Sequence, residues 1–211
     1  MTLARTAPAL IAASLVTVLA LAGCSTGVDD ASAPAAQTDT AAPQSTAEGI
    51  DPPAAPASTS LPAGVDPTSD TALAWEALMS PVGEYAAAAS YLAVLDSFGM
   101  VEPYTTILEG ELRHIDALTR RLERADIEVP ENPYIGIVVA PADLQAAAEA
   151  WAQGEINNVA LYDELLAQAD DARLVTVLGN LRRASLESHL PLFEAAAAAG
   201  GTLDELPAHT P

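Results

Sequence analysis

ILEGELRHIDAL, residues 107–118, sets its large apolar side chains Ile107, Ile115 and Leu118 at the spacing of a helix that buries one face. Glu111 and His114 fall on that same face, three residues apart. A carboxylate on a buried stripe is costly. Left unpaired it loses several kcal/mol, so it needs a cation, a proton or a metal ion. The segment therefore predicts a helix packed against others that bring complementary groups, or a rim where the polar pair reaches water.

The neighbouring sequence supplies those other helices. Residues 71–206 hold nearly all the apolar periodicity and suit a single domain in size. A short helix over 71–79 leads in. Ser80-Pro81 caps and starts helix one, which runs to Phe98 and stops at Gly99. Helix two covers Tyr104–Ala125, helix three Pro141–Ala169 and helix four Ala172–Ala199, with Gly200-Gly201 as its stop. The connection 126–140 contains Pro130, Pro133 and the only alternating apolar stretch, Ile135–Val139, which is read as loop. Connections that are short, long and short predict an all-α four-helix bundle with one long crossover between helices two and three.

Phasing each helix at about 100° per residue gives four inward stripes. They are Glu84, Ala88, Tyr91, Leu95 and Phe98; then Ile107, Glu111, His114, Leu118 and Ala125; then Leu144, Ala148, Trp151, Glu155, Tyr162 and Ala169; and finally Leu174, Leu178, Leu181, Ser185, His189 and Leu192. Every helix sends a potential metal ligand inward. The halves also echo each other. Glu84 precedes Tyr91 by seven residues, Glu155 precedes Tyr162 by seven, and a histidine follows on the next helix each time, His114 and then His189. Gly83, Gly110 and Gly154 stand immediately before Glu84, Glu111 and Glu155, where helix-interior glycine costs about 1 kcal/mol against alanine; close helix approach or a local bulge is the expected reason. The nearest cations, Arg113, Arg120 and Arg121, are phased mostly outward. A divalent metal satisfies three converging carboxylates together, with histidine nitrogen completing the shell. Glu84, Glu111, His114, Glu155 and His189 are the candidate ligands, and Tyr91 and Tyr162 are candidate hydrogen-bond partners that orient the carboxylates.

These residues lie in GEYAAAASYLAVLDSFG (83–99), YTTILEGELRHIDALTRRLE (104–123), GEINNVALYDELL (154–166) and LRRASLESHLPLF (181–193), which together resemble the ferritin-like superfamily. The nearest likeness is to a bacterial and archaeal ferritin-like family, the domain of unknown function numbered 2202. The resemblance implies a bundle fold and a carboxylate–histidine metal site, and it implies no established activity. A full dinuclear carboxylate site takes one glutamate from each of two helices and Glu-x-x-His from the other two. Glu84 and Glu155 match the single glutamates, and Glu111 with His114 matches one pair. The fourth helix departs, because Leu186 stands three residues before His189. Ser185 and Asn158, both near the inward phase, are the substitutes on offer, and a single ion or an asymmetric pair becomes an alternative to a symmetric centre.

Sequence outside the bundle bears on location. Ala7–Ala22 is an apolar run of signal-peptide length ending in Leu21-Ala22-Gly23-Cys24, which resembles a bacterial lipobox. That likeness implies a signal peptide over 1–23, cleavage before Cys24 and lipidation of that cysteine, the only one in the chain. Residues 24–70 are rich in Ala, Pro, Ser and Thr and read as a disordered tether spanning roughly 35–40 Å; residues 207–211, with His209, read as a tail. Eight arginines and no lysine face 29 acidic residues, a net charge of -21 that excludes nucleic acid as a partner by repulsion. No Gly-rich phosphate loop occurs, and the lone thiol at the lipidation position excludes a cysteine nucleophile. Two functions follow as expectations. One is a lipid-anchored, extracytoplasmic metal-binding protein, monomeric or dimeric, in which iron or manganese with an open position would permit oxygen or peroxide chemistry. The other is a non-catalytic helical interaction module tethered to the cell envelope, its protein partner undefined by the sequence.

Overall fold

The computed structural model describes residues 54–206. The expected signal peptide, Cys24, most of the expected tether and the tail 207–211 lie outside the described residues. All regular structure among the described residues is helical, and none of these helices is both long and apolar enough to cross a membrane. A 3-10 turn at Ala57–Thr59 precedes α1 (Asp70–Met79), α2 (Glu84–Phe98), α3 (Tyr104–Glu123) and α4 (Leu144–Leu166). The last rod is continuous: α5 (Ala172–Ala184) passes through a π-helical turn (Ser185–His189) into α6 (Leu190–Ala198).

Side-chain caps fix three of the helix starts. Ser69 accepts from the Ala72 amide at 3.2 Å, Asp143 from the Ala146 amide at 2.8 Å, and Asp171 from the amides of Arg173 and Leu174. The Asp143 cap overrides Pro141 as the expected start of the third bundle helix. Ser80-Pro81 likewise does not start α2. Ser80 closes α1, a tight turn follows with the Gly83 amide donating to the Ser80 carbonyl at 2.9 Å, and α2 opens at Glu84. α3 ends at Glu123, so Ala125 is exposed and Leu122 fills the core position expected of it.

Two apolar clusters stack along the bundle. One joins α1 (Leu73, Trp75, Leu78, Met79) to Tyr85, to the C-terminal parts of α3 and α4 (Leu118, Leu122, Tyr162, Leu165) and to the start of α5 (Leu174, Leu178). The other joins Tyr91 and Val94 to the N-terminal parts of α3 and α4 (Tyr104, Ile107, Ala147) and to Leu192 and Phe193 of α6. α3 and α4 therefore run parallel, and the segment 124–143 returns the chain along the bundle between them. The order up, down, down, up follows from that one long connection.

α1 is more than a lead-in. It contacts α2, α3, α4 and α5, and seven of its ten residues are buried, so it plugs one end of the bundle. The chain before it is also held. The Trp75 indole nitrogen donates to the Thr59 carbonyl at 2.9 Å, and Leu61 packs against the first cluster. The tether expected to reach residue 70 therefore gives way to packed chain within its last part. A Pro/Ala/Thr-rich composition conceals this, because one leucine and one backbone carbonyl suffice to hold the segment.

Gly83 sits where the 80–83 turn folds back on α1. A Cβ there would lie 2.5 Å from the Ala77 carbonyl oxygen. Gly83→Ala is expected to destabilise the bundle by about 1–3 kcal/mol, the usual cost of overpacking. Denaturant unfolding checks this, and an unchanged midpoint would show that the close approach carries no stability.

Candidate metal centre

Between the two apolar clusters lies a polar layer. Glu84 comes from the first turn of α2, Glu111 and His114 from α3, Glu155 from α4 and His189 from the end of the π turn. The three carboxylates are 1%, 1% and 0% exposed, the His189 side chain 8% and that of His114 17%. All five candidate ligands thus meet in one interior site.

The geometry is that of two triads sharing a member. Glu84, Glu111 and His114 place ligand atoms within 4.8 Å of one another, and so do Glu111, Glu155 and His189. The two oxygens of Glu111 divide between them: Oε2 lies 3.0 Å from His114 Nδ1, and Oε1 lies 3.0 Å from His189 Nδ1. Glu84 Oε2 is 3.4 Å from His114 Nδ1, and Glu155 Oε1 is 3.5 Å from His189 Nδ1. Both histidines present the same ring nitrogen to the centre, and their rings stack 5.7 Å apart at 29°.

Two tyrosines brace the carboxylates crosswise. The Tyr91 hydroxyl of α2 donates to Glu155 Oε1 at 2.6 Å, and the Tyr162 hydroxyl of α4 donates to Glu84 Oε1 in a very short hydrogen bond. Each tyrosine, seven residues after one glutamate, holds the glutamate of the other half. Burial, then the nearby carboxylate charges, push both phenols well above their ordinary pKa, so they remain donors.

Asn158 turns its amide nitrogen to the backbone. In the amide orientation that satisfies its neighbours, its nitrogen donates to the carbonyls of Gly154 at 2.9 Å and Val82 at 3.2 Å, tying α4 to the turn before Glu84. Ser185 is buried on the face of His189, while Leu186 is 39% exposed and points away. The π turn causes this. The Leu190 amide reaches back five residues to the Ser185 carbonyl, and Pro191 just beyond lacks an amide hydrogen, so the regular ladder cannot continue through it. Pro191, two residues past His189, is the signal for this bulge in the sequence.

The glycines differ in role. A Cβ on Gly110 would meet His189 Nε2 at 3.1 Å, so Gly110 leaves room for that ring against α3. A Cβ on Gly154 would meet only Trp151, at an ordinary 3.5 Å. The expected bulge lies at neither, but in the π turn.

Charge explains what the layer lacks. The arginine ion pairs among the described residues go to Asp116, Asp171 and Asp163 near the surface. Without a metal, protons must hold the carboxylates together. Burial, reinforced by the Glu111 charge, pushes Glu84 up to about 8. Burial also disfavours ionised Glu111, but the close Glu84 carboxyl and the imidazoles of His114 and His189 outweigh it and hold Glu111 well below the usual range. For His114 and His189 burial opposes the charge, yet the facing carboxylates prevail and raise them to about 10 and about 11.

Protons do not satisfy the site fully. Glu84 Oε2, Glu111 Oε1, Glu155 Oε2 and His189 Nδ1 are buried without a hydrogen-bond partner among the described residues. His189 Nδ1 and Glu111 Oε1 are close, but not aligned as a hydrogen bond requires. Orphaned acceptors converging at short range fit a cation, and oxygen with imidazole donors suits a divalent ion.

No protein-family model, curated protein or solved structure matches the chain.

The proton-held state sets a pH window for metal-free protein. Glu111 contributes stability above its unfolded pKa of 4.5, and loses it as pH falls toward its depressed folded value. The raised histidines contribute fully below 6.5 and lose that contribution as pH climbs through about 10 and 11; Glu84 loses its own as pH rises from 4.5 through about 8. Metal-free protein is therefore expected to be most stable near pH 4.5 and to melt at steadily lower temperature from there toward pH 10, most steeply above pH 6.5 where the histidines add to the loss. Thermal melts in chelator check this, and a melting temperature that rises from pH 6.5 to 10 would contradict it.

Proposed function

We propose that the chain is a ferritin-like protein that binds a pair of divalent ions, of the iron or manganese kind, inside its helical bundle. One observation carries this reading: the two oxygens of buried Glu111 face different histidines, each at 3.0 Å. A carboxylate so divided suits a bridge between two ions. Glu84 and His114 would complete one shell, Glu155 and His189 the other. The up, down, down, up helix order and the crossover support the ferritin-like assignment, and the likeness to the family numbered 2202 rests on its sequence motifs.

The donor set favours iron or manganese, since it has oxygen and imidazole but no sulfur. A redox-active ion there would supply electron exchange with oxygen or peroxide. The protein's own part is to hold and exclude. Tyr91 and Tyr162 orient the outer carboxylates, the apolar clusters keep water from the layer, and Ser185 and Leu186 supply no sixth donor of the usual kind, leaving room in the shell for an exogenous ligand. The lipobox-like Leu21–Cys24 supports anchorage of this domain outside the cytoplasmic membrane. The rival reading, a tethered interaction module, has exposed Ile135, Ile137 and Val139 in its favour. It gives no reason for five converging ligand groups in the core.

Metal analysis after equilibration with iron or manganese is expected to find two ions per chain, about one in Glu155→Gln and well under one in Glu111→Gln. At a hundredfold excess over Kd each ion adds about 2.7 kcal/mol, and the two together raise the melting temperature by about 10–20 °C. If iron, manganese, zinc and copper raise it neither in the native chain nor in the Glu111→Gln, His114→Leu double variant, the interaction module is the better reading.

At neutral pH the ions must displace protons from His114, His189 and Glu84, about three in all. Calorimetry in buffers of different ionisation enthalpy should register this release. Uptake without proton release would mean the ions sit elsewhere.

A further inference from the structure

Beside the metal layer, between the start of α2, the middle of α4 and the crossover, lies a cavity of about 230 Å³. An apolar cavity of about 150 Å³ holds a benzene molecule, so this one admits a substituted single ring. In a chain with 29 acidic residues, none of the side chains lining it among the described residues is charged. An ion entering it would lose its hydration without gaining a partner. The walls are mostly apolar and include the rings of Tyr91 and Trp151, which meet edge to face at 5.8 Å and 84°.

The polar groups of the lining narrow the ligand further. The Ser90 hydroxyl donates to the Ala86 carbonyl at 2.7 Å, and the Asn158 amide is committed to Gly154 and Val82. The Asn157 carbonyl oxygen accepts from Gln153 at 3.1 Å, which leaves its amide nitrogen as a donor. The cavity thus suits an apolar body bearing an oxygen acceptor.

Tyr91 connects cavity and centre. Its ring forms part of the wall, and its hydroxyl holds Glu155 at 2.6 Å. We propose that this cavity binds a small neutral aromatic molecule with a carbonyl or ether oxygen, and that it is the substrate pocket of the metal centre, coupled to it through Tyr91. The second half of the proposal rests on the metal-binding reading; the binding itself does not.

Acetophenone, benzoate and benzylamine, of similar size but different charge, are the probes. Calorimetric titration of the full-length, metal-free chain in detergent is expected to show one site for acetophenone, at least tenfold tighter than for either charged analogue. Ala87→Phe and Ala150→Phe, which fill the cavity from opposite, partly exposed walls, should each abolish binding, with thermal melts confirming that the variants fold. Cobalt(II) then reports on the centre. Acetophenone should shift the visible absorption of cobalt-loaded protein, and Tyr91→Phe should remove the shift.

Absence of acetophenone binding, or equal binding of all three probes, overturns the cavity assignment. Binding that leaves the cobalt spectrum unchanged overturns its role as the substrate pocket. A chain that takes up no cobalt, iron or manganese overturns the metal reading and the coupling together, while the titration of metal-free protein still judges the cavity.

Discussion

Three carboxylates buried together, with no arginine among the described residues paired to them, form the constraint around which the molecule is arranged. Repulsion among such groups in a low-dielectric interior is severe, and packing alone cannot offset it. Glu111 is the pivot. It divides its two oxygens between two histidines, and those histidines come from different halves of the chain. Whatever neutralises Glu111 therefore ties the α2–α3 hairpin to the pair formed by α4 and the last rod.

The apolar architecture serves this layer. One cluster, closed by α1, seals it from one end; the other, built on Tyr91, Tyr104 and Phe193, seals it from the other. Tyr91 and Tyr162 belong to these clusters and to the layer at once, so their rings pack with the core while their hydroxyls fix the glutamates of the opposite half. Positions at the edge of the layer are correspondingly tight. Gly83 lets the turn before Glu84 close onto α1, and Gly110 lets His189 lie against α3. Side chains at either place would move a candidate ligand, and a metal–ligand bond of roughly 2 Å would tolerate little movement.

Much of this was legible in the sequence, for physical reasons. Helical phase is robust over two turns, so the inward placing of Glu84, Glu111, Glu155 and both tyrosines survives errors of a few residues at the helix ends. The last rod kept its whole expected stripe, Leu174 to Leu192, inside. Boundaries were less legible where two signals competed. Pro141 and Asp143 both offer a start for α4, and the side-chain cap prevailed; Ser80-Pro81 looks like a start but closes the preceding helix. The core role of α1 was hidden because a helix buried on nearly every side shows little periodicity. The register of the π turn escaped a fixed 100° rotation, although Pro191 marks it. Asn158 shows the limit of phase, which places a residue near a site without saying which of its neighbours takes the hydrogen bond.

The account rests on two ions held on either side of one carboxylate. Anomalous X-ray scattering from crystals grown with iron or manganese tests it directly, because it locates the ions and shows their ligands together. Two anomalous peaks inside the bundle are expected, flanking Glu111, one beside Glu84 and His114 and the other beside Glu155 and His189. An interior without anomalous density, with ions only on the acidic surface, would contradict it.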